Sequence, residues 1–362
     1  MPAPAFFGHE RIASSLWRMV AERRLPQTLL FAGPKGVGKS TLARHLAAGI
    51  NCAAGPGRPC GDCSPCERIL AADLSREEHR SMLADRRKLA ASKREKDPLV
   101  IATHPDFLLF PPDGPSRVFS IHQARFLRSQ ARSRPMEGRR RVFVIRRTER
   151  ANEHAANALL KTLEEPASNL TIVLTSERPY QLLPTIRSRS IPFFFAALAP
   201  SEMEAFLRTR EEVPAGSRQQ VSAWSRGSPG VAITIDMEEF RRRRGAMLQL
   251  VRVALSEGGF ARLSGELEAI ARRQAEGIDR LAWMASTLLR DLLRLHLDMR
   301  EDLTHLDIES DLQALAPRAS FAWVERALER LSELERLEQT NIQKQIAFEA
   351  YALSLQDRRA RE

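Results

Sequence analysis

The pattern of apolar and polar positions changes character along the chain. Up to about residue 196, short apolar, often β-branched runs alternate with stretches of helical periodicity. Thr28–Ala32 (TLLFA) reads as a strand, followed by a glycine-rich turn and a helix over Ser40–Ile50. A charged, helix-prone stretch occupies residues 67–98 and ends near Pro98, just before His104–Phe107 (HPDF). Then come a helix at Ile121–Ser133, a strand at Val142–Ile145, a helix at Glu153–Leu163, a strand at Thr171–Thr175 and a turn leading to Ile191–Phe195. Apolar strands alternating with helices predict a doubly wound parallel sheet, an α/β nucleotide-binding fold.

Beyond Pro200 the pattern is helical. Ser201 is a natural N-cap for a helix over Glu202–Arg210, and a second short piece near Arg218–Arg226 ends at Gly227-Ser228-Pro229-Gly230. From about residue 240 glycine and proline become scarce. Phe321–Leu337 carries Val324, Leu328, Leu331, Leu334 and Leu337 three and four residues apart, read as a bundle helix rather than a coiled-coil seam. The boundaries expected are 1–196, 197–240 and 241–362, with no internal repeat.

Composition narrows the function classes. With 362 residues, 43% hydrophobic and 28% charged, the chain is long enough for two or three domains and is not a disordered tail. No apolar run reaches the roughly 18 residues that span a bilayer. The N-terminus carries no basic-then-apolar leader, so a cytoplasmic protein is expected, with no membrane partner. The net charge of +11 favours acidic partners such as DNA, but only seven of the 56 cationic residues are Lys. The runs Arg139–Arg141 and Arg241–Arg244 are read as solvated faces rather than nucleic-acid grips.

The four cysteines, Cys52, Cys60, Cys63 and Cys66, are crowded into fifteen residues. In a cytoplasmic chain this spacing suits a closed tetrahedral thiolate shell for structural Zn2+, with nearby glycines allowing tight turns. An iron–sulfur cluster and free thiols are the alternatives.

Gly33-Pro34-Lys35-Gly36-Val37-Gly38-Lys39-Ser40 is a P-loop set between strand and helix. Its glycines allow backbone N–H groups to form an anion nest at a helix N-terminus, Lys39 reaches toward the β- and γ-phosphates, and Ser40 offers a hydroxyl to Mg2+. Gly33, Gly36, Gly38, Lys39, Ser40 and Thr41 are therefore candidate ATP- or ADP-binding residues. Hydrolysis also needs acids at the end of a second apolar strand. Here Val142–Ile145 is followed by Arg146-Arg147-Thr148-Glu149. Guanidiniums neither ligate Mg2+ nor accept a proton, so Mg2+ use is doubtful and hydrolysis is not expected. Glu149 lies two positions late and is expected to point elsewhere. A solvated strand-end role for Arg146 and Arg147 stays open beside a direct one.

Two further stretches, Asn157–Pro166 (NALLKTLEEP) and Leu183–Ser190 (LPTIRSRS), resemble the bacterial clamp-loader branch of the AAA+ ATPases. The P-loop, the four-Cys module, His104-Pro105-Asp106, the Gly227–Gly230 turn and the helix Asn341–Leu355 extend the likeness. It implies a P-loop AAA+ domain with an inserted zinc module at 52–66 and a charged insert at 67–98. A small helical lid domain and an all-helical collar domain would follow. The absent acids, and Val231 where the family's gamma/tau motor carries an Arg, make the chain resemble the non-hydrolysing stator. In that role Arg189 is an arginine finger given in trans to ATP on a neighbouring motor, with Arg187 and Ser188 holding its loop. The implied partners are the gamma/tau motor and delta subunits of the DNA polymerase III clamp loader, the sliding clamp and primer–template DNA. Ser190 replaces the usual Cys of that motif. The alternatives are an active motor, a small-molecule P-loop kinase, which leaves both stretches unexplained, and a scaffold outside replication.

Overall fold

The computed structural model describes residues 6–271, 278–336 and 343–356. They form two compact units, one of residues up to 209 with 227–231, the other of 210–226 with 232 onward.

The first unit is built on a six-stranded sheet. Its strands are β1 (Thr28–Ala32), β2 (Ile101–His104), β3 (Phe107–Phe110), β4 (Arg141–Ile145), β5 (Leu170–Ser176) and β6 (Ile191–Phe194), in the order β2-β3-β4-β5-β1-β6. Five strands are parallel, but β2 runs antiparallel to β3 at one edge, so the sheet is mixed rather than wholly parallel. The tight turn at Pro105 joins β2 to β3, and no crossover helix fits in so short a connection.

The strands alternate their side chains between two cores. Leu29, Phe31, Phe107, Leu109, Val142, Val144 and Val173 face helices α1 (Glu10–Ala21), α2 (Lys39–Ile50) and α3 (Ser64–Leu70). Leu30, Leu108, Phe110, Phe143, Ile145, Ile172 and Leu174 face α6 (Ile121–Ala131) and α7 (Glu153–Glu164). Both faces are covered, as apolar parallel strands require. Ser120 closes a capping box on α6 with Gln123, and the Asn152 side chain accepts from Ala155 N at 2.8 Å to start α7. The charged insert is split into α3, α4 (Glu77–Lys88) and α5 (Ala91–Lys96). The Asp73 carboxylate takes Ser75 N and Oγ and turns the chain after α3. Arg86, 7% exposed, binds both Asp113 oxygens at 3.2 Å and the Asp97 carbonyl, anchoring an otherwise solvated α4.

The arginine run 139–141 is not simply solvated: Arg139 is exposed, Arg140 half-buried and Arg141 buried, and each donates to the backbone. Arg139 donates to the Cys52 carbonyl (2.6 Å), Arg140 to Leu170 (3.0 Å) and Arg141 to Gln130 (2.5 Å), with Arg141 also over the Phe143 ring. These donors tie the strand entry to neighbouring loops.

The second unit contains α10 (Arg218–Ser225), α12 (Met237–Ala254), α13 (Phe260–Ala271), α14 (Ile278–His296), α15 (Glu309–Leu315), α16 (Phe321–Arg336) and α17 (Lys344–Gln356), after α8 (Pro184–Ser188), α9 (Pro200–Arg208) and the one-turn α11 (Pro229–Ala232). Val324, Leu331 and Leu334 of α16 are buried in one helical core, so that stripe is a bundle face; Leu337, Asn341 and Ile342 lie outside the described residues. The second arginine run is not simply solvated either. Arg244 makes a bidentate pair with Asp307 at 2.6 Å and lies over the Trp224 ring, which stacks on Phe240. Arg242 and Arg243 pair with Glu239. Among the described residues, no helix is long and apolar enough to cross a membrane.

Asp106 holds the loop between α6 and β4. Its carboxylate is fully buried and accepts from Met136 N (2.8 Å), Glu137 N (2.9 Å) and Gly138 N (2.7 Å). Despite the opposing cost of burial, these three donors and His104 hold its pKa below the usual carboxylate value. Asp106→Ala strands three amide donors and is expected to lower unfolding stability by about 2–3 kcal/mol in urea denaturation. The same linkage makes this contribution present above the ordinary carboxylate pKa and lost as pH falls through the depressed one.

Candidate nucleotide and metal sites

The P-loop leaves β1 at the edge where the parallel strands end. Gly33 N donates to the Ser176 carbonyl of β5 at 3.1 Å, and α2 begins at Lys39. Gly36 has φ +78, and a Cβ there would lie 2.9 Å from Val231 Cγ2, so glycine answers both a left-handed backbone and close packing. Gly230 N donates to Gly36 O at 2.8 Å, joining the Gly227–Gly230 turn to the loop within the first unit. Val231 therefore offers this loop an apolar contact. His9, which the sequence reading did not single out, donates from Nε2 to Val37 O at 3.0 Å and sits edge-on to Phe195. Nothing in the composition around a lone His before a helix marks that role.

Lys39 is 7% exposed, and its Nζ donates to the Gly33 and Pro34 carbonyls at 2.5 and 2.6 Å. Burial pushes its pKa down to about 8, with Arg146 and Arg147 adding to the fall and Glu177 and Glu149 opposing it. Ser40 and Thr41 follow on the first turn of α2, half-buried.

The end of β4 stands at the same edge. Ile145 is level with Leu174 of β5, which is level with Leu30 of β1, so Arg146 follows level with Phe31, two residues short of the point where the P-loop leaves β1. Burial, with Arg44 nearby, pushes the Arg146 pKa down to about 10. Arg147, at φ 52, pairs with Glu177 (3.4 Å) and approaches Glu149 (3.8 Å). Glu149 does not point elsewhere, as the sequence reading expected. Its side chain is 4% exposed, neither oxygen has a hydrogen-bond partner, and it contributes to the electrostatics of Lys39. The short helical turn Thr148–Arg150 swings it back toward the strand end. Arg44, on the buried side of α2, pairs with Asp73 at 2.8 Å.

The cysteines converge on one point. Their four sulfurs lie within 4.8 Å of one another, with Cys63 and Cys52 at 4.0 Å and no disulfide. Cys52 follows the Asn51 cap of α2 and Cys66 rides on α3, so helix as well as loop builds the cluster. A Cβ on Gly49 would lie 2.1 Å from Gly57 O, which is why the loop can fold so tightly against α2. Backbone N–H groups of Asp62 and Cys63 draw the Cys60 thiol down to about 7, toward its thiolate, while burial pushes Cys66 up. Four thiols at this separation form a donor set for a metal ion.

Arg189 caps α8, exposed. One guanidinium nitrogen pairs with Glu164 at the end of α7 (2.9 Å) and another donates to Thr185 O (3.1 Å). Ser188 Oγ donates to the same carbonyl, Ser190 Oγ to Ile186 O, and Arg187 lies over the Tyr180 ring. The two recognised stretches, NALLKTLEEP and LPTIRSRS, therefore meet through the Arg189–Glu164 pair.

Comparison with known proteins gives the family. The family described as "DNA polymerase III, delta subunit" matches residues 8–199, and that described as "DNA polymerase III, delta subunit, C terminal" matches residues 238–357. A Bacillus subtilis protein named DNA polymerase III subunit delta' is 25% identical over 96% of this chain and 96% of its own length. A Pseudomonas aeruginosa protein of the same name is 29% identical over 67% of this chain, an alignment spanning 66% of that protein. A Haemophilus influenzae DNA polymerase III subunit tau/gamma is 29% identical over 57% of this chain, but this spans only 26% of that longer protein. A solved Thermotoga maritima gamma subunit-related protein aligns over 95% of this chain at 16% identity, with a TM-score of 0.41. By its matched residues, the chain belongs to the DNA polymerase III delta-subunit family.

Proposed function

We propose that this chain is the delta-prime-like stator of the DNA polymerase III clamp loader, the five-subunit ring that opens a sliding clamp and places it on primer–template DNA. Its neighbours would be the gamma/tau motor and delta subunits. The observation that carries this reading is a P-loop kept with its lysine while Arg146 and Arg147 occupy the strand end where hydrolysis needs acids. The loop holds ATP or ADP without turning it over. Arg189, exposed on α8 and tethered among the described residues to Glu164 and its own helix, is the finger offered to a neighbouring subunit's ATP. The planar guanidinium meets phosphate oxygens in a way an ammonium does not. Residues 241–362 are the collar, and residues 197–240 form the lid.

The four-Cys module is the structural zinc site. The thiolate-only donor set and its closure by four protein ligands suit zinc, leaving no position for substrate. Zinc would hold the end of α2, the start of α3 and the intervening loop together, with Arg139 and Asn51 tying them to the β4 entry.

Mixing the chain with motor and delta subunits tests the assignment directly. A stable complex by native mass measurement and DNA- and clamp-stimulated ATPase are expected. Arg189→Ala should assemble and melt like the parent, since an exposed ion pair contributes little. The assembled ATPase should then fall, by less than the roughly 10³–10⁵ seen where the only finger of a GTPase is lost. Arg189→Lys should be impaired too. Equal ATPase and clamp loading with Arg189→Ala would refute the finger. The isolated chain should hydrolyse ATP negligibly; robust turnover abolished by Lys39→Ala would transfer the base's role to Glu149. Metal analysis of reduced protein should find one zinc per chain, with Zn–S distances of about 2.3 Å by X-ray absorption. Cys60→Ser should weaken zinc retention and lower thermal stability, whereas iron and sulfide in place of zinc would overturn the site.

A further inference from the structure

Around the P-loop the charges do not cancel. Lys39, Arg44, Arg146 and Arg147 face the acids Asp73, Glu149 and Glu177, four cations against three carboxylates. Among the described residues the pairing leaves two cations outside ion pairs, Arg146 and Lys39, and the Lys39 ammonium is already engaged by the Gly33 and Pro34 carbonyls. Arg44 is held by Asp73, and Arg147 lies between Glu177 and Glu149. Arg146 has no ion pair among the described residues, and its buried Nε has no hydrogen-bond partner. Its backbone is fixed, because Arg146 N donates to Phe110 O at 2.9 Å at the end of the β3–β4 ladder. A guanidinium with no ion pair, drawn on by Glu177 and Asp73 only beyond ion-pair distance and removed from water within electrostatic reach of Lys39, favours an added anion.

Mg2+ does not fit this place. It takes one or two carboxylates plus substrate phosphates, yet Glu149 and Glu177 already face Arg147, and Arg146 stands where the metal-holding acid is needed. A divalent ion brought among these guanidiniums would meet repulsion that a low-dielectric site strengthens. The guanidinium can itself supply what the metal supplies in binding: positive charge and a planar pair of donors for two phosphate oxygens.

We propose that Arg146 is a built-in counter-cation that lets this P-loop take a nucleoside di- or triphosphate without Mg2+. The inference rests on the nucleotide-holding reading above and deepens it, making the occupant of the stator's loop metal-free. A tightly held nucleotide of this kind braces β1, β4 and α2 and has no metal-activated water to cleave it.

The test is calorimetric titration of the full chain with ATP and with ADP, in buffer containing Mg2+ and in buffer freed of it on a chelating resin. The resin treatment precedes addition of the protein, so no free chelator competes for the zinc. Wild-type protein is expected to bind both nucleotides in the Mg2+-free buffer, and no more tightly when Mg2+ is added, because the ion competes for the nucleotide without gaining a place in the site. Arg146→Met should lose at least about tenfold in both buffers. Arg146→Asp should bind poorly without Mg2+ and regain affinity when it is added. Circular dichroism of each variant checks the fold, and the wild-type comparison stands without either variant. Wild-type binding that requires Mg2+ would overturn the inference and leave nucleotide occupancy intact. Undiminished metal-free binding by folded Arg146→Met would remove Arg146 from the role. No binding in either buffer would overturn the nucleotide-holding reading itself, and the inference with it.

Discussion

Everything in the first unit depends on a sheet whose central strands are buried on both faces. Once alternate residues of β1, β3, β4 and β5 feed two separate cores, helices must cross over both sides and the parallel strands must all end at one edge. The P-loop, the Arg146–Arg147 pair, the Glu149 turn and Glu177 are distant in sequence, but each follows the end of a strand, so the fold delivers them together. The chemistry of the site is set by what those strand ends carry. Here they carry guanidiniums where a hydrolase carries carboxylates, and the electrostatics of Lys39 register the change.

The large arginine content has two fates. One group works as internal staples: Arg86 on Asp113, Arg141 over Phe143, Arg244 between Asp307 and Trp224. Guanidinium suits this work because it is planar, stays charged and forms several directed hydrogen bonds at once. Such pairs are strongly destabilising to break on one side, even where the pair as a whole adds little net stability. The other group, with Arg189 as the clearest member, is exposed and pinned only by an ion pair and its own helix. Because Arg86 and Arg244 bring Asp113 and Asp307 as partners, such pairs cancel within the net charge of +11.

The cysteine module is tied to the sheet by a short polar chain. Asn51 Oδ1 accepts from Arg139 N and Arg140 N, Arg139 reaches back to the Cys52 carbonyl, and Asp106 fixes Met136 to Gly138 just upstream. The loop before β4 is thus clamped between the end of α2 and the β2–β3 turn.

The sequence by itself determined the elements whose pattern is local and strong: β1 and its P-loop, β4, β5, α7, the helical second half and the spacing of four cysteines. It also determined that Arg146 and Arg147 replace acids, because identity at a motif position needs no coordinates. Tertiary structure decided what local pattern cannot encode. The short β2 and β3 flank a tight turn at Pro105, and only pairing across the sheet makes them strands. Arginine runs look solvated in sequence, since neither Asp307, 63 residues after Arg244, nor the carbonyls that receive Arg139–Arg141 are visible as partners. Glu149 sits two positions late along the chain, yet a single helical turn carries its side chain back to the strand end. Which cations at the P-loop stand outside ion pairs was decided only in three dimensions, because the carboxylates there come from different segments and meet their cations by distance.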